Sequence, residues 1–532
     1  MNDILTQIIE KRKKDIERFG LDFGITIPEK RQRPVHPFLS VPEQLAQSTS
    51  KSGISPNTTT PARGVILEVK RASPSKGDIA PNLNAAQTAL SYAKAGAAAI
   101  SCLTEQNYFK GNLKDLMEVC LAIDEFEKTQ LIGAQTQNID GSGNSAQKDS
   151  TNNLQSVTAP AVLRKDFLLF PQEVEISYRA GADAILLIAR ILETDTIVQM
   201  AQLAANYGMT SLVEIRSDKD LQKLSAVAAN VDKKHIVCGV NSRDLATFKI
   251  DLLKPCAMLT KIRSALGENA RVVFESGIRT PQAAAFAGSL GFSGMLLGEA
   301  AAKNPELRTD LVKSFMQAKP TKNAEFWVDF AELQSRQIHR PLVKICGLTN
   351  ADDVLLANKL GADFAGFIFA AGFARNVCGE RFEKILPILK NIKAKKVAVI
   401  TDPDSPEANA AANYVEKGIL DCIQLHGIPY NKVPQKLLDL PHYFALTEKN
   451  SDLEKAAEEL FLMGEPRFLQ DSKSQNYNTN HKLWLAGGIT PENVSELINK
   501  FQPELIDVSS GVETELCKKD EKKLEKLFAQ LE

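Results

Sequence analysis

The stretch Val65-Ile66-Leu67-Glu68-Val69-Lys70-Arg71-Ala72-Ser73-Pro74-Ser75-Lys76-Gly77 decides the fold. Val65, Leu67 and Val69 alternate with Ile66, Glu68 and Lys70, so its first half reads as a strand. Alternation puts Glu68 and Lys70 side by side on one face. The strand runs into a loop with Pro74, Ser73, Ser75, Lys76 and Gly77, material that can hold a phosphate through hydroxyls and backbone N–H groups. Opposite charges at the end of an apolar strand, followed by an anion-friendly loop, point to an active-site edge. A strand-end ion pair on a surface loop is the alternative.

The rhythm set by that strand continues along the chain. Short apolar strands alternate with helical stretches at 65–70, 97–103, 161–163, 183–188, 210–214, 235–240, 271–275 and 293–297, which makes eight. Ala95-Gly96-Ala97 and Ala180-Gly181-Ala182 stand just before strands and read as helix C-caps. Eight β-α units in roughly 250 residues predict a (β/α)8 barrel, whereas an open doubly wound sheet would show fewer strands. Ahead of them, residues 3–19 carry Ile4, Leu5, Ile8, Ile9, Ile16 and Phe19 among many charges, an amphipathic helix. Residues 134–158 are almost wholly small or polar, and they are expected to be a flexible insertion.

Residues 321–340 read as a connector with an amphipathic stretch from Phe326 to Leu333. The rhythm then restarts at 342–345, 363–369, 396–400, 421–425, 442–446, 465–470, 482–486 and 504–508, eight strands again. The expected fold class is α/β: two tandem (β/α)8 TIM barrels over 1–320 and 341–532, the first with an N-terminal helical extension. The 532 residues are enough for both.

Composition narrows the function classes. The chain is 44% apolar and 24% charged with a formal net charge of −1, so nothing points to nucleic acid or a membrane surface. No apolar run approaches the roughly 18 residues of a membrane span, and Met1-Asn2-Asp3-Ile4 shows no secretory pattern. Eight cysteines without a Cys-x-x-Cys pair argue against a metal cluster or disulfide framework. A cytoplasmic protein with no nucleic-acid or membrane partner is expected. The two fused barrels can supply each other with a packing surface, so a monomer is expected.

In a barrel, catalytic groups sit at the strand C-termini and face the axis. Those ends offer Glu68 and Lys70, then Lys165, Glu214, Asn241 with Arg243, Glu275 with Ser276 and Gly277, and finally Gly298-Glu299. Glu68-Val69-Lys70-Arg71-Ala72-Ser73-Pro74-Ser75-Lys76-Gly77, Arg164-Lys165-Asp166-Phe167, Asn241-Ser242-Arg243-Asp244-Leu245 and Glu275-Ser276-Gly277-Ile278 closely resemble the indole-3-glycerol-phosphate synthases. The resemblance runs over residues 1–320. It implies closure of the pyrrole ring of 1-(2-carboxyphenylamino)-1-deoxyribulose 5-phosphate with loss of carbon dioxide and water. It further implies Lys165 as general acid on the carbonyl and Glu214 as the acid/base of dehydration. Lys70 would steady developing charge, Glu68 would orient both lysines, and Glu275 would support that network. Asn241 and Arg243 suit the anthranilate carboxylate, and Phe109 an apolar wall for its ring. Ser73, Ser276, Gly277 and Gly298 suit the phosphate. Glu299 stands where many relatives have Ser, and a carboxylate cannot donate to a phosphate.

In the second half, Cys346 ends the first strand in Lys344-Ile345-Cys346-Gly347 and shares strand parity with Lys344, so it faces the axis. A buried small hydrophobe is the plainer role for a cysteine. Lys344-Ile345-Cys346-Gly347-Leu348-Thr349, Gln424-Leu425-His426-Gly427, Leu485-Ala486-Gly487-Gly488-Ile489 and Asp507-Val508-Ser509-Ser510-Gly511-Val512-Glu513 resemble the phosphoribosylanthranilate isomerases. The resemblance implies an Amadori rearrangement in which Cys346 is the general base, its thiolate favoured by an electropositive pocket. Asp471 would be the general acid, Arg375 the carboxylate clamp, and Gly487, Gly488, Ser509, Ser510 and Gly511 the phosphate cradle. Two departures stand out: residues 472–480 contain no Gly, and Gly372-Phe373-Ala374 replaces the usual Ser-Pro before Arg375.

Together these resemblances imply a bifunctional enzyme of tryptophan biosynthesis whose C-terminal barrel supplies the substrate of its N-terminal one, acting on small phosphorylated anthranilate-ribose and -ribulose substrates without metal or organic cofactor. Two alternatives stay open at this stage: a second barrel degenerated to a docking module, and an aldolase-like first barrel using Lys165 as a Schiff-base nucleophile.

Overall fold

The computed structural model describes residues 4–39, 63–137, 159–244, 249–336, 340–448 and 452–531. They form two closed parallel barrels of eight strands each, with helices between the strands. The chain divides into two compact units, Met1–Ile250 with Met258–Ala318, and Asp251–Ala257 with Lys319–Glu532. All sixteen expected strands are present, their ends displaced by at most three residues (465 against Phe468).

The first barrel runs β1 (Gly64–Val69), β2 (Ala99–Leu103), β3 (Ala161–Lys165), β4 (Ala184–Ile188), β5 (Thr210–Ile215), β6 (Ile236–Asn241), β7 (Val272–Glu275) and β8 (Gly294–Leu297). It closes through β1 against β8, with Gly64 opposite Gly294 and Ile66 opposite Leu296. Every β1 residue is buried, because one parity packs under the helices and the other fills the interior. Ile66, Leu163, Leu186, Leu212, Val237, Val273 and Leu296 share one cluster with Phe38 and Leu39. Phe38 and Leu39 plug the end where the strands begin. A Cβ on Gly64 would lie 2.4 Å from Leu39 Cδ2, and one on Gly294 3.0 Å from Leu39 Cδ1. Those two glycines therefore admit the plug. Burying each such Leu or Phe stabilises the fold by about 1.5–3 kcal/mol.

The expected helix C-caps are present: Ala95 and Ala180 end helices, and Gly96 (φ +90°) and Gly181 (φ +100°) turn the chain into the next strand. The anion-friendly loop after β1 is a small hairpin, Ala72–Ser73 against Gly77–Asp78, turning at Gly77 with φ +64°. Residues 134–137 continue the helix Leu113–Gln137, contrary to a loop beginning at 134, because Ala and Gln are good helix formers. The rest of that insertion, 138–158, lies outside the described residues.

The second barrel runs β9 (Leu342–Cys346), β10 (Phe364–Ile368), β11 (Lys395–Ile400), β12 (Cys422–His426), β13 (His442–Thr447), β14 (Phe468–Asp471), β15 (Trp484–Ala486) and β16 (Leu505–Val508). β9 pairs with β16 in a register that sets Lys344 opposite Asp507. The stretch read as a connector is mostly the helix Lys322–Arg336. Its Trp327 and Phe330 are fully buried, with ring centroids 6.0 and 5.2 Å from that of Trp484 and Phe330 6.3 Å from Phe364. Trp484 and Phe364 are the first residues of β15 and β10, so this helix closes the N-terminal end of the barrel. No described helix is long and apolar enough to cross a membrane.

Candidate active sites at the strand ends

Inward parity carries the first barrel's polar groups to its C-terminal mouth. One cavity there is lined by Glu68, Lys70, Ser73, Phe109, Lys165, Glu214, Asn241, Arg243, Ser276, Gly277 and Gly298, each of them expected, and also by Glu299. Glu68 sits between the two lysines: its Oε1 is 3.2 Å from Lys70 Nζ and its Oε2 3.0 Å from Lys165 Nζ. Glu275 does not line the cavity. It lies beneath, its Oε2 accepting from Lys165 Nζ at 3.5 Å.

Burial alone would drive Lys165 toward neutrality, but the fields of Glu68, Glu275 and Glu214 outweigh it and raise its pKa. Burial likewise opposes charge on Glu68, yet Lys165 and Lys70 bring its carboxyl down to about 2. Glu275 moves the other way: burial, aided by Glu214 and Glu68 against the pull of Lys165, lifts it to about 7. The site thus holds a charged ammonium, a charged carboxylate and a carboxyl able to exchange its proton near neutrality.

Two glycines make room for these carboxylates. A Cβ on Gly239 of β6 would lie 2.1 Å from Glu275 Oε1, and one on Gly298 would lie 2.7 Å from Glu68 Oε1. Gly239→Ala is expected to push Glu275 off Lys165 and to destabilise the first barrel by about 1–3 kcal/mol. Thermal melting checks the loss.

Ser276 (φ +70°) and Gly277 (φ +87°) follow β7 as two successive left-handed residues. Such a conformation costs a serine about 1–2 kcal/mol and is held by Ser242 Oγ, which donates to the Ser276 carbonyl at 3.0 Å. Arg243 Nη1 donates to Ser75 Oγ at 3.4 Å, joining the loops after β6 and β1. Lys70 Nζ lies 5.5 Å from the centroid of the Phe109 ring, which stands 6.0 Å from that of Phe167. Glu299 Oε1 accepts from Lys303 at 2.9 Å.

Three features went unread in the sequence. Arg216 donates to Glu214 Oε1 from Nη2 at 3.0 Å, and the parity Leu212, Glu214, Arg216 would have found it. Ile4, Leu5 and Ile8 of the helix Ile4–Phe19 line the cavity. Buried Arg12 of that helix pairs with Asp166 at 2.6 Å and with Glu173, next to the β3 end that carries Lys165.

In the second barrel one cavity gathers Cys346, Asp471, Gly487, Gly488, Ser509, Ser510 and Gly511 with Gln424, His426, Asp507, Lys473 and Phe373. Fully buried Lys344 lies beside it, its Nζ 3.5 Å from Cys346 Sγ and donating to Asp507 Oδ2 and Gln424 Oε1, both at 2.6 Å. Gln424 Nε2 faces His426 Nδ1 at 3.1 Å, and His426 Nε2 lies 3.9 Å from Asp471 Oδ2. Burial raises the Asp471 carboxyl against the pull of His426, which suits a proton donor.

The expected low thiol pKa is not found. Burial lifts the Cys346 thiol above its ordinary value, because desolvation and Asp507 outweigh Lys344 and Lys519. Cys346 therefore rests as a thiol. Arg375 is held by Glu513, from Nε at 2.9 Å and from Nη2 at 2.6 Å. A Cβ on Gly347 (φ +72°) would lie 2.6 Å from Arg375 Cδ and 3.1 Å from Ser509 Oγ, so the three loops converge there. The Gly-free loop 472–480 is tied to the strands around it: Ser472 Oγ donates to Glu448 Oε1, just past β13, at 2.9 Å, and Gln470 of β14 exchanges bonds with the backbone of Asn478. Gln424, His426 and Asp507 were legible by parity; Glu513 and Lys519 were not.

The family model described as indole-3-glycerol phosphate synthase matches residues 5–130 and 144–313. The chain belongs to that family. The model of N-(5'-phosphoribosyl)anthranilate isomerase matches residues 343–530, so synthase and isomerase domains follow one another in this order. A multifunctional tryptophan biosynthesis protein of Schizosaccharomyces pombe is 28% identical over 97% of this chain and 66% of its own length. The chain thus spans just under two thirds of that relative. The tryptophan biosynthesis protein TrpCF of Haemophilus influenzae is 26% identical over 87% of this chain and 86% of its own. An indole-3-glycerol phosphate synthase of Desulforamulus reducens is 31% identical over 56% of this synthase-family chain and 91% of its own. A solved phosphoribosyl anthranilate isomerase of Thermotoga maritima is 28% identical, covering 36% of this chain and 98% of that one, with a TM-score of 0.31.

Proposed function

We propose that the chain carries out two consecutive steps of tryptophan biosynthesis, isomerisation in residues 341–532 and ring closure in residues 1–320. In the first, Asp471 protonates the furanose ring oxygen of N-(5'-phosphoribosyl)anthranilate, and the C1′–O bond breaks as the amine nitrogen forms an iminium. Cys346, its thiol proton lost to solvent as that cation forms, takes the C2′ proton as the thiolate, and the enolamine rearranges to the ketose. In the second, Lys165 protonates the ketose carbonyl as the aromatic carbon attacks it. The ring carboxylate leaves as carbon dioxide, and Glu214 moves the protons of dehydration. Lys70 and Glu68 hold the charges in place, Glu275 buffers Lys165, and Asn241 and Arg243 receive the anthranilate carboxylate. Ser73, Ser276, Gly277 and Gly298 suit one phosphate; Gly487, Gly488, Ser509, Ser510 and Gly511 suit the other. Arg375 clamps the second carboxylate.

The observation that carries this reading is Lys165 between Glu68 at 3.0 Å and Glu275 at 3.5 Å, in the same mouth as Glu214. The net upward shift of its pKa favours an ammonium that donates protons over a free amine that forms Schiff bases. The purified chain, given phosphoribosylanthranilate, is expected to release carbon dioxide and indole-3-glycerol phosphate. Accumulation of unreacted phosphoribosylanthranilate alongside normal turnover of supplied ketose would reduce the second barrel to a docking module.

A further inference from the structure

Lys519 takes no part in either reaction proposed above. It ends a two-stranded hairpin after β16, Glu513–Glu515 against Lys518–Lys519, in which Glu513 pairs with Lys519. Its side chain is wholly buried, where an ammonium persists only if its protons are taken. All three are: Nζ donates to the Cys346 carbonyl at 2.7 Å, the Ser509 carbonyl at 3.0 Å and Glu513 Oε1 at 3.0 Å. Cys346 ends β9 and Ser509 follows β16, neighbouring strands whose ladder runs out one residue earlier, at Ile345 and Val508. Their carbonyls need another donor there. The hairpin is itself pinned: Thr349 Oγ1 donates to the Cys517 carbonyl at 2.7 Å, and the Lys519 N–H to Asp353 Oδ2 at 2.9 Å.

We propose that Lys519 is a positioning residue of the second site: one ammonium ties the backbone of Cys346 to that of Ser509 and, through Glu513, aims Arg375. This rests on the isomerase reading. Its three acceptors belong to the proton-abstracting strand, the phosphate loop and the partner of the carboxylate clamp. A flexible stem reaching three such acceptors suits Lys, whose ammonium is a compact three-proton donor, better than the planar fork of Arg.

Isomerase kcat and KM of the full chain, read with its ring-closing rate and thermal melting, test this. Lys519→Met is expected to lower isomerase kcat at least tenfold and raise KM at least fivefold well below its melting temperature, with ring closure unchanged. Glu513→Gln keeps the bond to Lys519 but weakens the hold on Arg375, so it should raise KM about tenfold and leave kcat within twofold. A folded Lys519→Met with both constants within twofold of the parent, whatever its melting temperature, overturns the proposal. Where that variant does not fold, Glu513→Gln decides: a raised KM alone supports the tie, and an unchanged KM overturns it. A parent chain that closes the ring but never isomerises sinks the isomerase reading and the proposal with it; a parent that isomerises beside an indifferent Lys519→Met sinks the proposal alone.

Discussion

Lys165→Ala is expected to slow ring closure by about 10²–10⁴-fold while isomerisation continues at the parent rate. Lys165 Nζ reaches two carboxylates, Glu68 at 3.0 Å and Glu275 at 3.5 Å, and shares the cavity with Glu214. Lys70 is turned to the other oxygen of Glu68, at 3.2 Å, and does not stand in for Lys165. The variant also carries a stability signature. Glu68 is held near 2, below its ordinary value, so its charge stabilises the fold above the ordinary carboxylate range and that contribution disappears as pH falls through about 2. Without Lys165, burial pushes Glu68 back up, and breaking such a buried pair costs about 3–5 kcal/mol. Glu275 has the opposite sign: its carboxyl is raised to about 7, so the stability it contributes is full below the ordinary carboxylate pKa and is lost as pH rises through about 7. Melting curves of parent and variant between pH 4 and pH 8, run beside both assays, separate a chemical loss from an unfolded first barrel.

The strands and their inward residues were legible because a closed barrel obeys a two-residue period. Ile66, Glu68 and Lys70 share a face by alternation alone, and their place at strand C-termini of an expected barrel put Lys165, Glu214 and Glu275 at one mouth. Residues that reach the site from outside the strand pattern were not legible. The helix Ile4–Phe19 reads as amphipathic, but no periodicity says that Ile4, Leu5 and Ile8 line the cavity or that Arg12 is buried against Asp166. The helix Lys322–Arg336 looked like a connector because its apolar face has meaning only once Trp484 and Phe364 begin strands beneath it. Lys519 stands on a hairpin that a strand count passes over. Charge state was the least legible property. An electropositive pocket was expected to lower the Cys346 thiol, and Lys344 is indeed 3.5 Å away. That ammonium is shared with Asp507 at 2.6 Å, and burial then settles the direction upward.

That reversal sets the second large effect. Cys346→Ala is expected to lower isomerisation by about 10²–10⁴-fold and to leave ring closure of supplied ketose intact, the mirror of Lys165→Ala. A thiol above its ordinary value is a poor base at rest, so its deprotonation has to be coupled to the substrate. Once Asp471 has protonated the ring oxygen, the iminium is a cation beside the sulfur, and an opposite charge within about 4–6 Å favours the thiolate. Isomerase kcat/KM, which reports the free enzyme, should therefore climb with pH toward the alkaline range. kcat, which reports the loaded one, should level off at lower pH. Lys344→Met removes the ammonium that opposes burial at Cys346, and it should move the kcat/KM limb to still higher pH. A flat kcat/KM profile from pH 6 to pH 9, or a Cys346→Ala variant within tenfold of the parent, would show that another group takes the C2′ proton. His426 would then be next in line, because its Nε2 lies 3.9 Å from Asp471 and its Nδ1 faces the Gln424 amide at 3.1 Å.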